Sequence, residues 1–249
     1  MYLTIRGLVT RVTAYNDTDA LLTVLTDDRG KLTLKARGLR RKNSKLSAPC
    51  QLLCYGEFTV FEYRGYYTIN EANALELFTG LRKDLFKLSL ATYFGQVCDV
   101  ISQEDLANPQ LLSLTLNCLF ALDKLNLCLT QIKGVFELRC ACLAGYMPDL
   151  CGCFNCNSEF PDRFNITEGR LECAACRELG SNEIRMPVSV GVLDAMRYIV
   201  SCDDKRIFAF QISATTSEEL ANVTEAYLTR QLEQSFSALD FYKSLYLLD

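Results

Sequence analysis

The chain has 249 residues, 49% hydrophobic and 22% charged, with a formal net charge of −4 and no histidine. That composition is ordinary for a soluble globular protein, and the length suits one to three domains with a sizeable core. Without histidine there can be no Ser-His-Asp triad, Cys-His dyad or HExxH metal site. The sequence also holds no GxGxxG and no GxxxxGK[ST], the glycine loops that cradle phosphates.

The first 80 residues have the pattern of β-structure. The opening Met1-Tyr2-Leu3-Thr4-Ile5-Arg6 resembles a strand and not a signal peptide, which needs a basic start and a long apolar run. Tyr2 to Thr13 alternates loosely, and Asn16-Asp17-Thr18 is a turn signal. Ala20 to Thr26 is a second run, ended by Asp27-Asp28-Arg29-Gly30. Lys31 to Ala36 alternates clearly, with Leu32, Leu34 and Ala36 on one face. Gln51 to Glu62 and Tyr66 to Leu75 flank a tight turn at Arg64-Gly65. Five strands in this space predict a small barrel, with the five-stranded oligonucleotide-binding (OB) fold the natural candidate.

From Leu81 the period becomes helical. Leu81, Leu85, Leu88, Thr92 and Gly95 share one helical face, and Leu111, Leu114, Cys118 and Leu122 share another. Asn108-Pro109 separates them, with Pro109 suited to a first turn. A third helix is expected from about Thr130 to Leu143, closed by Gly145 and Pro148. Pro187 is expected to begin a helix reaching about Val200. Thr216 and Glu219 form a capping box for one long final helix with Leu220, Val223, Tyr227, Leu228, Leu232, Phe236 and Leu239 on its apolar side. The expected organisation is α+β: an OB barrel over residues 1–80, then a helical domain over 81–249 carrying a cysteine insert at about 149–180. No stretch nears the roughly eighteen apolar residues of a membrane-spanning helix, so no membrane contact is expected.

Two motifs stand out. Cys153-x2-Cys156 and Cys173-x2-Cys176 lie sixteen residues apart, a strong signal for a structural zinc site. The ligands would be four cysteines or include a carboxylate, and Cys151 lies close enough to replace Cys153. A four-cysteine site has no open position for water, so it braces structure and performs no chemistry. The other nine of the thirteen cysteines are scattered. Their odd total and the missing signal peptide argue for a reducing cytosol and against a disulfide framework. The second motif is basic: residues 1–80 hold 11 Lys/Arg against 8 Asp/Glu, and Lys35, Arg37, Arg40, Arg41, Lys42 and Lys45 form a segment with no acid within it. Such a run is often a merely solvated loop. Here it follows a barrel strand and precedes Tyr55, Phe58, Phe61, Tyr63, Tyr66 and Tyr67. Cations can neutralise phosphates while rings stack on bases, although a small barrel must spend many of its rings on its core.

In this order the parts resemble the bacterial RecO family of recombination mediators. The anchors are Phe136-Glu137-Leu138-Arg139, then Gly145-Tyr146-Met147-Pro148-Asp149-Leu150, then Cys153-Phe-Asn-Cys156. Gly169-Arg-Leu-Glu-Cys173-Ala-Ala-Cys176, the basic segment Arg37 to Leu46 and the stretch Tyr227 to Phe241 add to the resemblance, which spans nearly the whole chain. It favours Cys153 over Cys151 as ligand. Cys140 and Cys142 depart from expected leucines, and Gln231 and Glu233 from expected basic or histidine residues in the last helix. The resemblance implies a cytoplasmic, nucleoid-associated, non-enzymatic DNA-repair protein that binds single- and double-stranded DNA and anneals complementary strands. It further implies action with RecR to help RecA load onto DNA covered by single-strand-binding protein. The competing expectation is a zinc-braced interaction scaffold with incidental nucleic-acid contact.

Overall fold

The computed structural model describes residues 1–176 and 183–247. The strands are β1 (Tyr2–Ala14), β2 (Ala20–Thr26), β3 (Lys31–Ala36), β4 (Tyr55–Tyr63), β5 (Tyr66–Glu76), β6 (Asp149–Cys153), β7 (Arg163–Asn165), β8 (Arg170–Glu172) and β9 (Arg185–Pro187). The helices are α1 (Leu85–Ile101), α2 (Pro109–Lys124), α3 (Leu129–Leu143), α4 (Val190–Ser201), α5 (Ala214–Leu232) and α6 (Ser237–Leu245). They fall into two compact units: Met1–Leu125 with the segment from Phe236 onward, and Asn126–Ser235.

In the first unit β1 to β5 form a closed barrel. One half of β1 pairs with β4 and the other with β2. An irregularity between Val9 and Arg11 bends β1 so that one strand serves both neighbours. β3 then closes on β5 in parallel, Leu34 beside Tyr67 and Lys35 beside Thr68. This is the OB barrel that the strand pattern predicts. Alternation puts Leu22, Val24, Leu32, Leu34, Phe58, Val60 and Ile69 inside. The β4–β5 hairpin turns on Arg64 and Gly65, both at positive φ (51° and 79°), the backbone of a type I′ turn. The strand expected from Gln51 begins only at Tyr55. Residues 51–54 instead make a turn, with Cys54 N–H donating to Gln51 O and Leu53 at φ 63°.

Helix starts follow side-chain caps. Asn108 accepts from Leu111 N–H with Pro109 in the first turn, as expected. The face predicted for the preceding helix is displaced. Asp84 accepts from the N–H groups of Phe86 and Lys87, so α1 starts afresh at Leu85. Its buried residues include Leu90, Tyr93, Phe94, Val97 and Cys98, while Leu85 is exposed. α1 is tied to the barrel by Asp99, whose buried carboxylate accepts from the Thr10 hydroxyl and the Arg11 guanidinium. Its carbonyl accepts from Lys31 Nζ at 2.7 Å.

In the second unit β6, β8, β7 and β9 form a small sheet beside α3, α4 and α5. Pro187 ends β9 and does not start a helix; Ser189 caps α4 in its place. The expected capping box is also replaced. Ser213 caps α5, and Glu219 accepts from the N–H and hydroxyl of Ser189. The long final helix is broken into α5 and α6, because Glu233 takes the left-handed conformation (φ 51°). Residues 177–180 of the expected insert lie outside the described residues.

A buried charge network holds α3 against α5. Lys133 Nζ lies 2.9 Å from Glu137 and 2.8 Å from Glu225, and donates to Ala221 O. Thr224 donates to Glu137 at 2.8 Å. Burial pushes the Glu137 carboxyl above its ordinary range, against the pull of Lys133. Lys133→Met should therefore strand a buried carboxyl and cost about 3–5 kcal/mol, read as a lowered urea midpoint. A loss below about 1 kcal/mol would show the network to be dispensable.

Candidate metal centre and nucleic-acid interface

The four motif cysteines meet at one point of the second unit. Cys153 ends β6 and Cys173 follows β8, while Cys156 and Cys176 lie in the turns that come after. Backbone bonds shape those turns: Asn157 N–H donates to Cys153 O, Cys153 N–H to Ser158 O, and Cys176 N–H to Cys173 O. Asn157 takes a left-handed φ of 56° to complete the first turn. All four Sγ atoms lie within 4.8 Å of one another. The Cys156–Cys173 separation is 3.7 Å, against about 3.8 Å for the edge of a sulfur tetrahedron around zinc. The group can hold a metal ion, and its sulfur-only donor set suits zinc. Cys151 is exposed and stands outside this group.

Thiol acidity fits the same use. Burial pushes the Cys153 thiol up, but N–H groups of Cys156, Asn155 and Cys173 outweigh it and bring the thiol down to about 6. Cys176 is pushed up to about 12, chiefly through hydrogen bonds with the Cys156 and Cys173 thiols. Four thiolates this close repel one another, and a divalent cation removes that repulsion. By contrast Cys98 and Cys118 of the first unit are fully buried, and burial pushes both thiols up, as for inert core cysteines. Cys140 is likewise buried, and Cys142 is partly so.

The basic residues lie in the first unit, on the connection that leaves β3. Arg37, Arg40, Arg41, Lys42 and Lys45 are exposed, and among the described residues none of them forms an ion pair. The segment is not a free loop at its start. Gly38 N–H donates to Asp19 at 2.9 Å, Arg40 N–H to Thr18 O, and the Arg40 guanidinium to Asn16 O at 2.6 Å. Short turns then run to Cys50, with N–H groups of Arg41, Ser44, Ser47 and Cys50 each donating three or four residues back. Lys35 is half-buried, 3.5 Å from Asp19 and 4.6 Å from the Tyr15 ring centre. The Gly38 N–H, chiefly, holds the Asp19 carboxyl down at about 2, so Asp19 stays charged. That acid comes from the β1–β2 turn, where inspection of the basic segment alone does not find it. Of the rings that follow the segment only Phe58 is fully buried; Phe61, Tyr63 and Tyr66 are exposed.

Sequence reasoning also missed the buried Lys133–Glu137–Glu225 network. Its one signal was Lys133 and Glu137 four residues apart on an otherwise apolar helix. Gln231, one of the departures in the last helix, is used structurally: its amide donates to Ile166 O and Thr167 O.

These features define an OB-barrel protein with a helical unit and a four-cysteine knuckle pair. Comparison with known proteins agrees. The family model described as recombination protein O, N terminal, matches residues 1–78, and the C-terminal model matches residues 82–240. A DNA repair protein RecO of Acetivibrio thermocellus is 32% identical over 246 residues, covering 98% of this chain and 97% of the relative. One from Alkaliphilus metalliredigens is 29% identical over 248 residues, covering 98% and 100%. One from Symbiobacterium thermophilum is 27% identical over 244 residues, covering 96% of each. The chain belongs to the RecO family of DNA repair proteins. No helix among the described residues is long and apolar enough to cross a membrane.

The placement of the cysteines separates two variants. Cys151→Ser should leave metal content measured on purified protein unchanged, and Cys156→Ser should lower it well below the parent. Equal metal content in both would remove Cys156 from the centre.

Proposed function

We propose that this protein is a non-enzymatic recombination mediator of the cytoplasm and nucleoid. It binds single- and double-stranded DNA and anneals complementary strands. With RecR it helps RecA load onto single-stranded DNA covered by single-strand-binding protein. In this reading residues 1–80 are the DNA-binding domain and residues 81–249 the helical domain. Family membership supports the role, and one observation carries the DNA contact: a short segment beside an OB barrel holds exposed cations that form no ion pair among the described residues. Arg37, Arg40, Arg41, Lys42 and Lys45 grip phosphates, and Lys35 contributes less because Asp19 neutralises it. Phosphate contacts ignore sequence and leave base edges free to pair, which is what annealing needs.

Cys153, Cys156, Cys173 and Cys176 hold one zinc ion as a structural brace. Its contribution to the insert is of the order of 10–16 kcal/mol of apparent binding free energy, as in finger peptides. Chelation should therefore expose the amides of β6 and β8 to hydrogen exchange and leave those of β2 and β3 protected. Unchanged exchange in β6 and β8 would show that no metal braces the insert.

DNA affinity should fall steeply with salt, at a log–log slope of roughly 0.7 per phosphate contact for single strands. Arg40→Glu with Arg41→Glu should flatten that slope and slow strand annealing. A slope and an annealing rate both equal to the parent's would take the segment out of the mechanism.

A further inference from the structure

Most of the outer barrel surface on β1 and β4 is polar: Thr4 pairs with Thr59 and Arg6 with Glu57. One end differs. Tyr2 pairs with Phe61, Phe61 with Thr68, Thr68 with Lys35 and Lys35 with Leu21. These pairings form one row crossing all five strands. On β4 and β5 the neighbouring row sets Tyr63 opposite Tyr66. Side chains two residues apart on a strand share a face, so Tyr2, Phe61, Tyr63 and Tyr66 stand together on the outside. They are 63%, 42%, 58% and 78% exposed.

The barrel core does not use these rings; Phe58, Cys50 and aliphatic residues fill it, with Tyr67 packed against them. Single exposed aromatics need no explanation, but four gathered at one end of a sheet do. The Tyr2 and Phe61 ring centres are 5.3 Å apart and tilted, and the Arg64 guanidinium lies 5.2 Å from the Tyr63 ring centre. The row leads through Thr68 to Lys35, beyond which the chain enters the exposed basic segment. The nearby acid Glu62 is engaged by the Gly65 N–H. Flat apolar faces bordered by cations complement a ligand that is itself flat, apolar-faced and anionic along its length.

We propose that Tyr2, Phe61, Tyr63 and Tyr66 form a stacking platform for unpaired bases of single-stranded DNA. Duplex DNA buries its base faces in its own stack, so this surface favours single strands in a way that phosphate contacts alone do not. Three strand spacings separate Tyr2 from Lys35 along the row, about 14 Å at ordinary strand spacing. A sheet surface of that size takes about two or three bases in other nucleic-acid-binding domains. The platform deepens the DNA-binding reading and rests on it.

The test compares a labelled oligothymidylate with an abasic oligomer of equal length and phosphate count, both at fixed salt. The full-length protein should prefer the thymine strand. Tyr63→Ala with Tyr66→Ala should weaken thymine binding by about five- to tenfold, leave abasic binding unchanged and keep the salt slope. Tyr63→Phe with Tyr66→Phe should retain the preference, since the rings remain. A thymine preference that survives the alanine pair would overturn the platform and leave the rings as a protein-contact face. Equal loss on both oligomers would also overturn it. Failure of the parent to bind either oligomer would instead overturn the DNA-binding reading itself.

Discussion

Two residue pairs close the barrel, Leu34 with Tyr67 and Lys35 with Thr68. They are its parallel pairing, while the β1–β2, β1–β4, β2–β3 and β4–β5 contacts are antiparallel. Parallel neighbours cannot be joined by a tight hairpin; the chain must travel back before it can run in the same direction again. Here it does so through residues 37–54 and then β4. β4 makes the return, and residues 37–54, which join β3 to it, carry the exposed cations. The closure also brings Thr68 and the rings of β4 and β5 to the side of Lys35. The exposed cations and the ring-bearing surface are thus placed by the same strand arrangement. The β1–β2 turn anchors the connection where it begins, through Asp19, Thr18 and Asn16.

The second unit depends on polar groups taken out of water. Glu137 and Lys133 would each be costly to bury alone, and together with Glu225 and Thr224 they satisfy one another. Neighbouring motif residues do similar work. Arg139 donates to Val200 O and pairs with Asp204 where α4 ends, satisfying a carbonyl of the last turn. The Tyr227 hydroxyl donates to Tyr146 O, and a Cβ on Gly169 (φ 67°) would lie only 2.5 Å from that hydroxyl's oxygen. Arg197 donates to Leu150 O at 2.8 Å, and Gln231 holds the carbonyls of Ile166 and Thr167. The strands that carry the cysteines are thus also fastened to the helices of their unit by side-chain-to-backbone bonds at several points.

Features governed by local rules were legible in the chain. β2 and β3 were visible because alternation and turn residues act over a few positions. The cysteine cluster was visible because two short turns create it. Asn108 and Pro109 marked the start of α2 for the same reason. Elsewhere competing local signals were settled by tertiary contacts. Pro187 suits a helix start as well as a strand end, and pairing with Arg163 of β7 made it the latter. Glu219 looked like half of a capping box, yet Ser189, thirty residues away, claims its carboxylate. The break at Glu233 puts a non-glycine residue in the left-handed region, which composition does not announce. Lys133 and Glu137 have the spacing of an ordinary surface pair, and only the packing of α3 on α5 makes them a buried one. The Asp19 contact with Lys35 was hidden because it joins the β1–β2 turn to β3, sixteen residues further on.

Net charge does not decide what such a surface binds. At physiological ionic strength charges are screened over about 8 Å, so the overall −4 matters less than the exposed cations grouped after β3. Lys35 shows the scale involved: one acid at 3.5 Å is enough to offset it, while Arg37, Arg41, Lys42 and Lys45 have none within bonding reach among the described residues. Cations hold a nucleic acid by its phosphates, and flat rings hold it by its base faces. Neither contact uses the base edges that carry Watson–Crick pairing. A strand held in both ways is restrained yet still able to recognise its complement. Phosphate contacts that weaken with salt also let it leave once the duplex has formed. Strand annealing requires that combination, and a site built to read bases by hydrogen bonds to their edges would prevent it.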